Sequence, residues 1–371
     1  MPAPTGADTA SRAGLRVTVS QVDTSQSPTA LIDSAYRIAD DLLFPAAAEV
    51  DRTGEVPANH WAALADAGLY GVAAPKTAGG PGLEFTQVIE IIEALTSGCL
   101  STAFTWLQHH GVVLSLAATT NDALHDELFD DAAAGRIRGG VAYAGAVPTP
   151  PRMSATRTAD GWVFSGYAPF VSGWDSIDVL QVSARDVDTD DVITAIVPTH
   201  PMSSAITVSP MRLAAGNASH TVSLRIDSVS VPNALVVSRV ARDDFFATQN
   251  TGIRLNGTLP FGILRRCAAL LDRAGATRPA RRFRERGSEI RTRLDNSLDD
   301  TGALLAARAD GAQLAVDAAA ALVAAEGGRA LIAGSDADRL SREATFTLVA
   351  ASRPALKELL LQRFSGLGDG A

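Results

Sequence analysis

The chain has 371 residues, of which 46% are hydrophobic and 20% charged, with a formal net charge of -9 at pH 7. That length allows one large domain or two to three packed units, and the acidic balance argues against a nucleic-acid partner, since phosphate binding needs basic patches. The two cysteines, Cys99 and Cys267, lie in apolar runs; they imply neither a disulfide framework nor a metal site and read as buried thiols.

Residues 1–27 are rich in Ala, Ser and Thr and lack the apolar core of a signal peptide, so a flexible arm on a cytoplasmic protein is expected. No run reaches the ~18 apolar residues of a membrane span. From 28 to 136 the spacing is helical: Leu31, Ala35, Ile38 and Leu42 recur every three to four residues. Asn59 is placed to cap a helix starting at His60. Gly79, Gly80 and Gly82 mark a loop, and helices are predicted at Phe85–Thr96, Ser101–Ala117 and Asn121–Ala134. From 137 to 234 short β-rich runs alternate with turn signals such as Ala159-Asp160-Gly161. Strands are expected at Asp178–Val187, Asp191–Pro198 and Ser219–Ile226, giving a small antiparallel barrel or sandwich. From 235 to 371 helical spacing returns, with amphipathic runs at Gly262–Ala274, Phe283–Gly311 and Leu314–Ala325, and with Pro354 between the last two helices. This block has the spacing of a four-helix bundle. The fold class is α+β: helices, a β-domain, then helices.

Two motifs carry more than composition. Residues Gly68 to Leu83 read GLxGxxxPxxxGGxGL, and Glu93 stands eight residues before Ser101-Thr102-Ala103. Together they resemble the acyl-CoA dehydrogenase flavoproteins, over roughly residues 30 to 364. The resemblance implies an N-terminal α-bundle, a middle β-domain and a C-terminal four-helix bundle. It also implies bound FAD, an acyl-CoA or related small-molecule substrate, and a homodimer or homotetramer. Gly166-Tyr167-Ala168-Pro169-Phe170-Val171-Ser172-Gly173 matches the family's G-x-K-x-W-I-T-N. By that match Phe170 and Val171 lie against the flavin and Ser172 bonds near its N5. Glu326-Gly327-Gly328-Arg329 matches a turn that approaches the cofactor, so Gly327 and Gly328 are cofactor candidates. Arg281 and Phe283 stand where the family holds the FAD pyrophosphate and adenine across a subunit boundary, without the Gly and Gln usual there.

The departures concern chemistry. Tyr143 to Arg152 replaces the family's T-E-P-x-A-G-S-D stretch. Aligned through Arg342-Glu343-Ala344, the family's catalytic glutamate falls on Ala351. An earlier helix that carries the base in some relatives, here about Asn250–Gly262, has no Asp or Glu. Removing an acyl α-proton needs a base within reach. His109 and His110 are the remaining acid–base candidates, and adjacent helical positions face different ways. No metal-ligand spacing occurs. Three readings follow: an acyl-CoA dehydrogenase using an unusual base; a non-catalytic or half-site subunit paired with a Glu-bearing homologue; or a reduced-flavin monooxygenase on the same fold.

Overall fold

Ser27 opens the first helix: its hydroxyl accepts from the Ala30 N–H and Pro28 fills the first helical position, where no N–H is needed. The computed structural model describes residues 26–366; the arm expected at 1–27 lies almost wholly outside them. Helix α1 (Pro28–Arg37) runs through a π-turn at Ile38–Leu43 into α2 (Phe44–Thr53). Helix α3 (Ala58–Asp66) starts before Asn59, because the Pro57 carbonyl already accepts from His60 N–H; Asn59 is inside the helix and is not its cap. Helix α4 (Phe85–Gly98) has a reciprocal capping box between Glu84 and Gln87. Helices α5 (Leu100–Ala118) and α6 (Asp122–Ala133) follow, with Asn121 capping the latter through Leu124 N–H at 3.2 Å.

The glycine loop between α3 and α4 is structural. A Cβ on Gly80 would lie 2.3 Å from the Ala74 carbonyl oxygen, and the Gly80 and Gly82 amides donate to Pro75 and Ala74. Those N–H groups are used within the loop and are not free to cradle a phosphate.

Eight strands build one sheet: β1 (Gly139–Ala142), β2 (Met153–Arg157), β3 (Gly161–Val171), β4 (Val179–Asp186), β5 (Val192–Pro198), β6 (Ile206–Pro210), β7 (Val222–Pro232) and β8 (Val236–Val240). Their order is β6-β7-β3-β2-β4-β5-β8, with β1 beside β4. The sheet is mixed, not purely antiparallel. β1 runs parallel to the first half of β4 and β2 parallel to its last residues. It does not close into a barrel; the sandwich-like alternative fits. β8 pairs with β5, so the sheet continues past residue 234.

The C-terminal part comprises α7 (Arg242–Ala247), α8 (Asn250–Asn256), α9 (Leu259–Arg273), α10 (Thr277–Asp295), α11 (Thr301–Glu326), α12 (Asp336–Val349) and α13 (Pro354–Ser365). Helices α9, α10, α11 and α12 pack on one another. The helix break expected after Gly311 falls instead at 296–300, where Asp300 caps α11 through Ala303 N–H. Gly311 lies inside α11, where Phe261 fills the space a side chain would need, its Cζ 3.0 Å from where a Cβ would sit. Helix α4 crosses α9 closely at Gly262, where a Cβ would lie 2.5 Å from Thr96 Cβ.

One core joins the N- and C-terminal helices, a second fills the sheet around Trp162, Phe164 and Leu224, and a third seals α5 onto the sheet through Val112, Leu116, Val179 and Ile196. Glu93 of the opening motif is structural here: its carboxylate grips Arg291 of α10 at 2.5 and 2.7 Å. Among the described residues no helix is long and apolar enough to cross a membrane.

Candidate active site

A cavity of about 630 Å³ opens where α5, the sheet and the C-terminal helices meet. Helix α5 supplies Leu107, Gln108 and Gly111; the sheet supplies Gln181, Ser183 and Thr194, and the segment after β1 supplies Tyr143; the C-terminal part supplies Arg308, Ala351 and Arg353. This follows from local structure. Gln108 and Gly111 are three apart on one helix, so they share a face. Ser183 and Thr194 are cross-strand partners on β4 and β5, joined by a 3.1 Å hydrogen bond. Ala351 sits in the short turn between α12 and α13 with φ +46.

The wall is mostly apolar, and the charge it carries is cationic. Its ionisable side chains are Tyr143, Arg308 and Arg353, and no Asp, Glu or His lines it. Arg353 donates to Gln249 Oε1 at 3.1 Å. Arg308 donates to the carbonyls of Ala350 and Ala351. Among the described residues no cluster of three His, Cys, Asp or Glu is placed to hold a metal ion.

The two histidine candidates do not reach this wall. Helix α5 is covered on nearly every side, so both His109 and His110 are interior, each 2% exposed. The Gly139 N–H donates to His109 Nδ1 at 2.9 Å, while Nε2 faces the Ala132 carbonyl at 3.0 Å. That pairing fixes one neutral tautomer, since a proton on Nδ1 would meet another N–H. His110 Nδ1 bonds the Trp106 carbonyl. Burial, reinforced by His110, pushes His109 down to about 3; burial pushes His110 down to about 4. Both are structural ties and not acids or bases for the cavity. They also set a pH limit. An unfolded histidine titrates near 6.5, and the folded rings refuse a proton until far lower, so their stabilisation is present above pH 6.5 and is lost as pH falls toward 4. Roughly 3 kcal/mol should go between pH 7 and pH 5. Urea unfolding at the two pH values measures it, and replacing both histidines by Gln should flatten the difference.

The other sequence-predicted positions occupy three separate places. Phe170, Val171 and Ser172 end β3. Phe170 takes φ +57 and is 63% exposed, Val171 is buried, and Ser172 Oγ meets Thr221 Oγ1 at 2.7 Å, which in turn meets Ser219 Oγ at 2.8 Å. Three hydroxyls sharing two bonds leave one hydrogen to donate elsewhere. Arg281 is on the exposed face of α10, 3.7 Å from Glu285, with Phe283 half-buried against the helical core. Gly327 ends α11 at φ +62, and neither it nor Gly328 has any atom within 4 Å of an added Cβ. None of these residues lines the cavity, and among the described residues no hydrogen bond or ion pair links the three places. Ala351 does line it. Gln108, Tyr143, Arg308 and Arg353 were not among the sequence candidates. Tyr143 opened a stretch already singled out and Gln108 stands beside the two histidines; nothing in the sequence distinguished Arg308.

Residues 25–136 match the family model described as acyl-CoA dehydrogenase, N-terminal domain. Over 224 residues the chain is 21% identical to a mitochondrial isovaleryl-CoA dehydrogenase of Pongo abelii; the match covers 57% of this chain and spans about half, 53%, of that relative. Among solved structures, a glutaryl-coenzyme A dehydrogenase in complex with glutaryl-CoA superposes with a TM-score of 0.79 at 14% identity, covering 92% of this chain and 95% of its own. Butyryl-CoA dehydrogenase from Megasphaera elsdenii gives 0.78 at 15%, covering 94% and 99%. At these identities the structural likeness speaks to the fold.

Proposed function

We propose that this chain, whose residues 25–136 match the acyl-CoA dehydrogenase N-terminal domain, is an FAD-dependent oxidoreductase subunit of that family, binding an acyl thioester in the cavity beneath Ala351 and relying on a second chain for the α-proton base. The observation that carries this reading is the composition of the cavity wall: Ala351, which the motif alignment sets against the family's glutamate, lines it, and no carboxylate or imidazole does. An alanine methyl takes no proton, so this chain binds and orients the acyl group, and the proton leaves to a group from elsewhere.

The residues present fit FAD in three respects. Phe170 offers an exposed ring for a flat partner, the hydroxyl row ending at Ser172 has one hydrogen to give, and the open backbone at Gly327 and Gly328 lets a large ligand approach. Arg281 would supply charge for the pyrophosphate. Bound FAD would accept hydride in an α,β-desaturation. Within the cavity Gln108 offers an amide to a polar ligand group, and the α5–sheet core behind it keeps bulk water from that side.

A second reading is a half-site subunit that binds no substrate itself and only shapes a neighbour's site; the missing base favours it equally. Purification from the native host separates the two. Flavin and a co-purifying homologue with an intact glutamate, together with acyl-CoA binding to this chain, support the proposal. The same complex with no ligand bound to this chain leaves the half-site subunit, and a flavin-free chain without a partner would end both.

A further inference from the structure

Four arginines are almost wholly buried: Arg185, Arg254, Arg308 and Arg339 are each 2% exposed or less. Three of them meet carboxylates. Arg185 pairs with Asp190, Arg254 with Asp295 at 2.7 Å, and Arg339 with Glu343 at 3.0 Å and Asp336 at 2.9 Å. Arg308 meets none among the described residues. Its only bonds there run to two neutral carbonyls, Ala350 and Ala351. A buried charge without a counter-charge is costly, and burial draws this guanidinium down to about 10. Capping the end of α12 accounts for the carbonyl bonds. It does not account for an uncompensated cation on a cavity wall that carries a second one, Arg353, and no acid.

We infer that the acyl group held in this cavity carries its own oxyanion, a carboxylate or chemically equivalent group, and that Arg308 with Arg353 receives it. The inference rests on the reading of the cavity as the acyl pocket. An oxyanion at Arg308 would provide the missing counter-charge, and a planar guanidinium takes a carboxylate through two parallel bonds. An all-alkyl acyl chain would leave both cations unpaired and desolvate them further.

The test is calorimetric titration of the FAD-loaded protein, in the assembly in which it purifies, with glutaryl-CoA and with hexanoyl-CoA, on the wild type and on Arg308→Lys and Arg353→Gln. The expected result is glutaryl-CoA binding at least ~10-fold tighter than hexanoyl-CoA. Either substitution should reduce that ratio by several-fold, through weaker glutaryl-CoA binding and not through weaker hexanoyl-CoA binding. Equal affinity of the two ligands for the wild type overturns the inference and leaves the acyl pocket standing; this comparison needs no variant to fold. Substitutions that weaken both ligands by the same factor also overturn it, since the cations would then read the phosphates of CoA. Binding of neither ligand removes the acyl-pocket reading itself, and the inference with it.

Discussion

Ala351→Glu should convert the homomeric protein from one that does not exchange the α-hydrogens of a bound acyl-CoA into one that does. A positioned general base contributes about 10²–10⁴-fold, so deuterium wash-in from D2O into glutaryl-CoA or butyryl-CoA, followed by mass spectrometry, should rise by that order. The position already holds φ +46, so Glu meets no backbone strain that Ala does not. The new carboxylate would lie near Arg308 and Arg353. Their charges hold it ionised and its pKa below the ordinary carboxylate value, so the exchange rate should climb with pH only in the acid range and be flat at neutrality. Ala351→Gln has the same reach and no basicity and should remain silent. An exchange rate in Ala351→Glu no higher than in Ala351→Gln would mean that position 351 does not face the reacting carbon.

The second large effect is on stability. Arg339→Ala should cost about 3–5 kcal/mol, the range for removing one partner of a buried ion pair. Arg339 bonds both Glu343 oxygens at 3.0 Å, one turn apart on α12, and reaches Asp336 as well. Glu343 is 4% exposed; burial pushes its carboxyl up, and Arg339 opposes that push. Without Arg339 nothing in direct contact opposes it. A carboxyl whose folded pKa is raised loses stability as pH rises above its unfolded value near 4.3. The deficit of Arg339→Ala should therefore be larger at pH 7 than at pH 5, opposite in direction to the acid loss expected from His109 and His110. Urea midpoints at both pH values read this directly. Because α12 leads into the Ala351 turn, the variant should also loosen the cavity wall.

The broad architecture was legible because its signals are local. Apolar spacing every three to four residues marks the helices, and turn residues such as Ala159-Asp160-Gly161 mark the sheet region. Strand direction was not legible. Alternation reports which face of a strand is buried but not which neighbour it takes, so the parallel pairing of β1 and β2 with β4 left no trace in the sequence. The Ala-rich α11 is a similar case. It is packed on several sides and its apolar stripe is weak, so the break before Asp300 was misplaced toward Gly311. The site divides the same way. Ala351 was found by alignment to a motif. The histidines misled because the argument from helix faces assumes one wet face, and α5 has almost none. Arg308 was unreadable because its significance lies in what it lacks: three other buried arginines have carboxylates, and only folding shows which one does not.

The most direct test of the account is an anaerobic titration of the FAD-loaded homomeric protein with glutaryl-CoA and butyryl-CoA, followed by the flavin absorbance. Ligand should perturb the oxidised spectrum of the wild type without bleaching it, and should bleach Ala351→Glu. Full bleaching of the wild type by either ligand would contradict this, because a base would then be acting from within this chain.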